Sequence, residues 1–140
     1  MSQQLPSYSQ SIPLTGIIRQ ARAGASHSEA DKLARQLALT DKEMAALLAM
    51  NLRTFQRRQP GDKLDSVASE RLALLKNLAS HGLDVFEDQQ KFNRWLRQPL
   101  RALASDDESI LQASPLATLD TATGYRLVDA VLTRLEHGVF

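Results

Sequence analysis

Cysteine is absent from this 140-residue chain, which excludes disulfide bonds, thiolate zinc sites and cysteine nucleophiles. Proline and glycine are scarce, at 5 and 6 residues, and aromatic residues make up 5%. No apolar run approaches the roughly 18 residues of a membrane span, and the first ten residues lack the regions of a secretory signal. We therefore expect a soluble protein of a reducing compartment, the cytoplasm.

Catalytic and metal-binding patterns are also missing. The three histidines lie far apart in the sequence, and we find no paired carboxylates, phosphate-binding glycine loop or Ser-His-Asp set. The chain is 43% hydrophobic, which is enough for a core, and it is rich in alanine and leucine, which favour helix. These features predict an all-α protein that is not an enzyme and holds no cofactor or metal.

Charge is unevenly spread along the chain. Residues 41–103 carry 11 basic and 8 acidic side chains, whereas residues 104–140 carry 2 and 6. A basic middle suits contact with phosphate, and an acidic end suits another kind of partner, although solvated faces alone can produce such an imbalance.

Short helices are indicated throughout. Residues 1–13 read as a loose arm, followed by a helix from Leu14 to Ala23, and together with the next few residues they form a first segment, 1–27. Further helix starts are predicted at N-capping residues, with Gly82 and Gly138 as helix ends. These N-caps are Ser28, Thr40, Asn51, Asp65 or Ser66, Asp88, Ser114 and Thr121.

A helix-turn-helix pattern begins at Asp41. Counting from that residue, small or apolar residues are wanted at the positions where two helices cross, and the sequence places Met44, Ala45, Leu48, Met50 and Phe55 there. Two positions depart from the pattern: Ala49 replaces the usual turn glycine, and Arg58 replaces a hydrophobic residue. Since an alanine at positive φ costs about 1 kcal/mol, the turn geometry is expected to differ slightly. A plain helical hairpin remains the alternative reading.

The second helix of this pattern, Leu52 to Arg58, is rich in arginine and contains no acid. Arginine can pair with guanine and glutamine with adenine in the major groove, while lysines contact phosphates. One such module binds weakly, so we expect a homodimer that presents two recognition helices about 34 Å apart. The predicted DNA-binding residues are Asn51, Arg53, Thr54, Gln56, Arg57, Arg58, Lys42 and Lys63.

The chain resembles the Xre/MbcA/ParS antitoxins, the partners of RES-domain toxins. The resemblance covers roughly residues 28–140 and is most specific after Trp95. It rests on an ordered series of short motifs: Arg53-Thr54-Phe55-Gln56-Arg57-Arg58, Glu70-Arg71-Leu72, Trp95-Leu96-x-x-Pro99-x-x-Ala102-Leu103, Pro115-Leu116-x-x-Leu119-Asp120-Thr121-x-x-Gly124 and Arg134-x-Glu136-x-Gly138-Val139. Residues 104–114 depart from it as an insertion, either a loop that touches the toxin or a neutral surface loop.

The resemblance implies a helix-turn-helix module at 28–82, packed with a helical toxin-binding domain at 83–140. It further implies that the C-terminal region covers the NAD pocket of a RES toxin, and that the complex represses its own operon. A dimeric regulator without a toxin is the alternative function. The last helix is predicted to bury an apolar stripe formed by Leu127, Val128, Val131, Leu132 and Leu135. The predicted toxin-binding residues lie off this stripe or beyond the helix; they are Arg126, Thr133, Arg134, Glu136, His137, Gly138, Val139 and Phe140.

For the end of the chain two readings stay open. Either Glu136 and the terminal residues lie at the mouth of the toxin's pocket, or Val139 and Phe140 only cover the antitoxin's own core.

Overall fold

A computed structural model describes residues 13–100 and 107–138 of the chain. Within these ranges the secondary structure is helical, apart from one isolated β-bridge between Ser26 and Lys63, which confirms the all-α prediction. None of the described helices is long and apolar enough to cross a membrane. The helices are α1 (Leu14–Ala23), α2 (His27–Gln36), α3 (Asp41–Leu47), α4 (Leu52–Arg57), α5 (Ser66–Phe86), α6 (Gln89–Leu96), α7 (Glu108–Gln112), α8 (Pro115–Thr118) and α9 (Ala122–Glu136).

Helix α5 is the longest element and packs against α1, α6 and α9. Its 21 residues do not stop near Gly82, as the sequence pattern predicts, but continue to Phe86 and end at Glu87 in the left-handed conformation (φ 56°). The reason is tertiary packing. A Cβ at Gly82 would meet the Phe92 ring at 2.2 Å, so this glycine lets α6 approach α5 closely.

Most of the predicted N-caps are confirmed. In each case the side chain accepts a hydrogen bond from a backbone N–H of the first turn, and Thr40 forms a full capping box with Glu43. The other confirmed caps are Asn51, Asp65, Asp88, Ser114 and Thr121.

The expected cap at Ser28 is wrong. Helix α2 is capped by Ser26, whose Oγ accepts from the Glu29 N–H (3.2 Å), while the Glu29 carboxylate accepts from the Ser26 N–H (2.8 Å). A capping box needs a glutamate three residues after the cap, and of these two serines Ser26 has one.

The insertion at 104–114 contains the short helix α7. The Leu100 N–H donates to the Ala113 carbonyl at 2.9 Å, so the chain just before this segment lies beside the end of the segment. Residues 101–106 lie outside the described ranges, and the question of whether the insertion touches a partner stays open.

Two alanines occupy left-handed backbone positions at the ends of α2 and α3. Ala38 and Ala49 both have φ 56°, and each lies in a Schellman motif. In the second motif, the Met50 N–H donates to the Ala45 carbonyl (2.8 Å) and the Ala49 N–H to the Ala46 carbonyl (3.1 Å). The usual turn geometry is therefore kept despite the missing glycine, and the expected change in geometry is wrong.

Replacing either alanine with glycine is predicted to stabilise the protein by about 0.5–1 kcal/mol, because relief of the left-handed strain exceeds the added backbone entropy of the unfolded chain. Denaturant unfolding of Ala38→Gly and Ala49→Gly measures this effect. The matched control is Ala46→Gly at an exposed position inside α3, which should destabilise by a similar amount. Loss of stability in all three variants would contradict the strain argument.

Arg97, just beyond α6, connects the C-terminal half to the helix-turn-helix. Its guanidinium donates to both carboxylate oxygens of Glu43 (2.8 and 2.9 Å) and to the Ala38 carbonyl (2.8 Å). The hydrogen bond from Arg97 is the main cause that lowers the pKa of Glu43 to about 2. Glu43 therefore caps α3 and joins the two halves of the chain at the same time.

This ion pair predicts a defined pH dependence. Because the folded-state pKa of Glu43 lies below the unfolded value of 4.5, its contribution is complete above about pH 4.5 and disappears as pH falls toward 2. Glu43→Gln should cost about 1 kcal/mol near pH 7, and the difference from the parent protein should shrink in acid. In an Arg97→Gln background the same change should cost little; an equal cost there would refute the coupling.

Candidate functional surfaces

Helix α4 packs against the rest of the protein through one large buried side chain. Phe55 is 1% exposed, and its ring centroid lies 4.6 Å from that of His27 at the start of α2. The remaining side chains of this short helix, among them Arg53, Gln56 and Arg57, are exposed. The structure thus presents most of the predicted DNA-binding side chains on one small surface.

The segment after α4 is fixed by backbone hydrogen bonds to the start of α2. The Asp62 carbonyl accepts from the His27 N–H (2.8 Å), and the Pro60 carbonyl accepts from the Ser28 N–H (3.0 Å). These bonds join the segment after α4 to the start of α2, so the position of α4 also depends on contacts outside α4.

Asn51 and Lys42 border this surface in different ways. The Asn51 Oδ1 accepts from the Arg53 and Thr54 N–H groups at 2.8 and 3.4 Å, which commits this oxygen to capping α4. Lys42 is exposed on α3. Near it, the Asp41 carboxylate accepts from Gln56 Nε2 at 3.5 Å, so an acidic group adjoins the arginines.

Arg58 and Lys63 both donate hydrogen bonds to the protein's own backbone. Arg58 is half-buried and donates from Nη1 to the Lys63 carbonyl (2.7 Å), while Lys63 Nζ donates to the Ala23 carbonyl (3.1 Å). Arg58 therefore fills the place of the expected hydrophobic residue and stabilises the turn after α4. We leave it out of the proposed DNA surface and keep Lys63, which remains exposed, as a bordering residue.

Helix α9 packs on α5 with a stripe shifted from the expected one. Leu127 and Leu135, predicted as core residues, are only half-buried, whereas Tyr125 is 4% exposed. The start of the helix is constrained by Gly124, where a Cβ would meet the Thr118 carbonyl oxygen at 1.6 Å. The fully inward-facing residues are Tyr125, Val128, Val131 and Leu132.

The solvent-facing side of α9 brings several predicted toxin-binding residues together. At about 100° per residue, Arg126, Thr133 and His137 point in nearly the same direction, with Arg134 beside them. Arg126 and His137 are exposed, and Thr133 and Arg134 are half-buried. Ala130 lies in the same stripe and is exposed; sequence reasoning missed it because it looked for polar residues. We call these positions the α9 stripe: Arg126, Ala130, Thr133, Arg134 and His137.

Glu136 points away from the α9 stripe, toward α5. Its carboxylate lies 3.4 Å from Nε2 of His81, and the Asp129 carboxylate lies 2.7 Å from Nδ1 of the same ring. His81 is 1% exposed. Burial disfavours the charged imidazole, but the hydrogen bonds and charges of Asp129 and Glu136 outweigh it and raise the pKa of His81. Glu136 is thus engaged in the protein's own packing.

The extreme C-terminus is described only in part. Gly138 follows α9 with φ 70° and is exposed, consistent with its expected role as the helix end. Val139 and Phe140 lie outside the described residues, so their predicted part in binding stays a prediction. In the described ranges, no three His, Asp or Glu side chains lie together in a way that could hold a metal ion.

Two family models match the chain, one in each half. Residues 16–75 match the family model of the antitoxin Xre-like helix-turn-helix domain, which contains α4. Residues 81–138 match that of the antitoxin Xre/MbcA/ParS C-terminal toxin-binding domain, which contains α9. A search of the curated proteins found no match. With the two matches covering most of its length, the chain belongs to the Xre/MbcA/ParS-type antitoxins and joins a helix-turn-helix domain to a toxin-binding domain.

Proposed function

We propose that this antitoxin neutralises a RES-domain toxin that consumes NAD, and that it does so by covering the toxin's NAD pocket with its C-terminal region. The observation that carries the proposal is the exposed α9 stripe within the residues that match a toxin-binding domain. The ordered motifs after Trp95, which resemble the partners of RES toxins, support the choice of toxin class.

The proposed contact surface is the α9 stripe together with the terminal residues 138–140. Arg126 and Arg134 supply cationic groups, and the exposed Ala130 lets a partner approach the helix closely. Glu136 has a different proposed role, because it faces the buried His81 ring. It positions the last turn of α9, and contacts with the toxin come from its neighbours.

We further propose that the same protein, as a homodimer bound to its toxin, represses its own operon through α4. Arg53 and Arg57 are the main candidates for base or phosphate contacts, with Thr54, Gln56, Lys42 and Lys63 around them. Dimerisation follows from energetics, because the few phosphate contacts of one six-residue helix leave affinity in the non-specific range.

Removing the two arginines of α4 tests the DNA role. The double variant Arg53→Ala/Arg57→Ala should bind the promoter fragment of its own operon at least tenfold more weakly. The slope of log affinity against log salt concentration should become shallower by about 0.9 for each phosphate that the variant no longer neutralises. The control is Arg35→Ala/Arg94→Ala, which removes the same charge from exposed positions on α2 and α6. Equally weakened binding in both double variants would remove α4 from the account.

A bulky charge in the α9 stripe tests the toxin role. If a RES-domain protein is encoded beside the antitoxin, the co-expressed parent antitoxin should co-purify with that protein and relieve growth arrest. Ala130→Arg should lose both properties and keep its thermal stability, because Ala130 is exposed.

Each variant serves as the control for the other. Ala130→Arg should keep promoter binding, and Arg53→Ala/Arg57→Ala should keep toxin binding. Full neutralisation by Ala130→Arg would show that the toxin does not use this face of α9, and a neighbouring protein that is harmless alone would favour the toxin-free regulator.

A further inference from the structure

An apolar groove lies between α1, α5 and α9, away from the surfaces described above except for Arg126 at its edge. Its volume is about 510 Å³, which is large enough to hold several side chains. Leu74 of α5 and Tyr125 of α9 form part of its walls, and Glu70, Arg126 and Asp129 line it with charge.

One wall of the groove is an exposed apolar ridge on α1. Leu14 and Ile18 are four residues apart and so lie on one side of the helix, and they are 78% and 47% exposed. Ile17 and Ala21, on the buried side, hold α1 in the fold. A contiguous apolar ridge beside an apolar groove is typical of a protein interaction surface.

We propose that two copies of the chain pair through this surface, with Leu14 and Ile18 of each copy seated in the groove of the other. A two-fold interface requires one patch that is complementary to itself. Here the ridge and the groove share one patch, because Leu14 and Ile18 also line the groove. The ridge of each copy then lies in the groove of the other, so two copies complete the interface and a third is not added.

The charges of α1 and of the groove also favour a second copy of the chain as the binding partner. Helix α1 carries Arg19 and Arg22 and no acidic residue, and both arginines are exposed. The groove that would receive this basic helix is lined by the carboxylates of Glu70 and Asp129 and by the cation Arg126, and Asp129 also contacts His81 through Oδ1. The α1 helix of a second copy therefore brings its two arginines to a groove that offers two carboxylates.

The pairing would also hold two copies together for DNA binding, and this part of the inference rests on the proposed function. Two recognition helices must act together, and a surface built partly from α1, which packs on the same α5 as the toxin-binding helix, would fix the relation of the two copies. Because α4 takes no part in the groove, pairing would leave the arginines of α4 free for DNA.

Sedimentation equilibrium of the full-length antitoxin without toxin or DNA tests the proposal. The parent protein should be a dimer, and Leu14→Lys/Ile18→Lys should be a monomer that keeps the helical content of the parent protein. The matched control is Val67→Lys/Leu83→Lys, which places lysine at two exposed apolar positions of α5 outside the groove (55% and 38% exposed) and should remain a dimer.

A cross-linking experiment tests the arrangement itself. The chain has no cysteine, so the single-cysteine variants Ile18→Cys and Ala122→Cys, the latter on the α9 side of the groove, can be mixed and treated with a short bismaleimide. Because each chain carries one thiol, a covalent pair containing one chain of each variant reports contact between copies. Such mixed pairs are expected with Leu14 and the other groove residues intact and should disappear when Leu14→Lys is added to both chains.

Two results would overturn the proposal: a monomeric parent protein, or a Leu14→Lys/Ile18→Lys variant that stays dimeric. Toxin neutralisation is measured separately. If the lysine variant is monomeric and still relieves growth arrest, the interface is not needed for toxin neutralisation. If the parent protein is a dimer but does not neutralise the toxin, the proposed function is wrong and the proposed interface is still supported.

Discussion

The attachment of both modules to one helix, α5, is the constraint on which the rest of the structure depends. Near its beginning, Ser69 Oγ accepts from the Ala25 N–H (2.9 Å) and donates to the Leu64 carbonyl (3.3 Å), which joins α5 to the segments flanking the helix-turn-helix. Near its other end, His81 holds α9 through Asp129 and Glu136. The positions of α4 and α9 are therefore both set relative to α5, although their own sequences specify only short helices.

A second connection runs outside α5. Arg97 binds Glu43, which also caps α3, so the toxin-binding half contacts the first helix of the helix-turn-helix directly. The arginines of α4 and the α9 stripe nevertheless remain accessible to solvent. A protein built in this way can offer one surface to DNA and another to a protein at the same time, which is what autorepression by a toxin–antitoxin complex requires.

Local features were predictable from the sequence, and long-range ones were not. Thr40 and Thr121 could be identified as caps because their partners lie three residues away. The cap at Ser26 is also predictable, since Glu29 follows it at the capping-box spacing and Ser28 has no glutamate there. Gly82 was misread as a helix end because its real partner, the Phe92 ring, comes from another helix. The same limit applies to the candidate sites, because the sequence does not predict the contacts of Arg58 with the Lys63 carbonyl and of Glu136 with His81.

The central claim is that α9 holds the toxin while α4 stays available for DNA. Hydrogen–deuterium exchange of the antitoxin, measured alone and in complex with its toxin, tests it most directly. The account predicts that toxin binding slows exchange in α9 (Ala122–Glu136) and leaves exchange in α4 (Leu52–Arg57) unchanged. Slowed exchange confined to α4, with α9 unaffected, would contradict it.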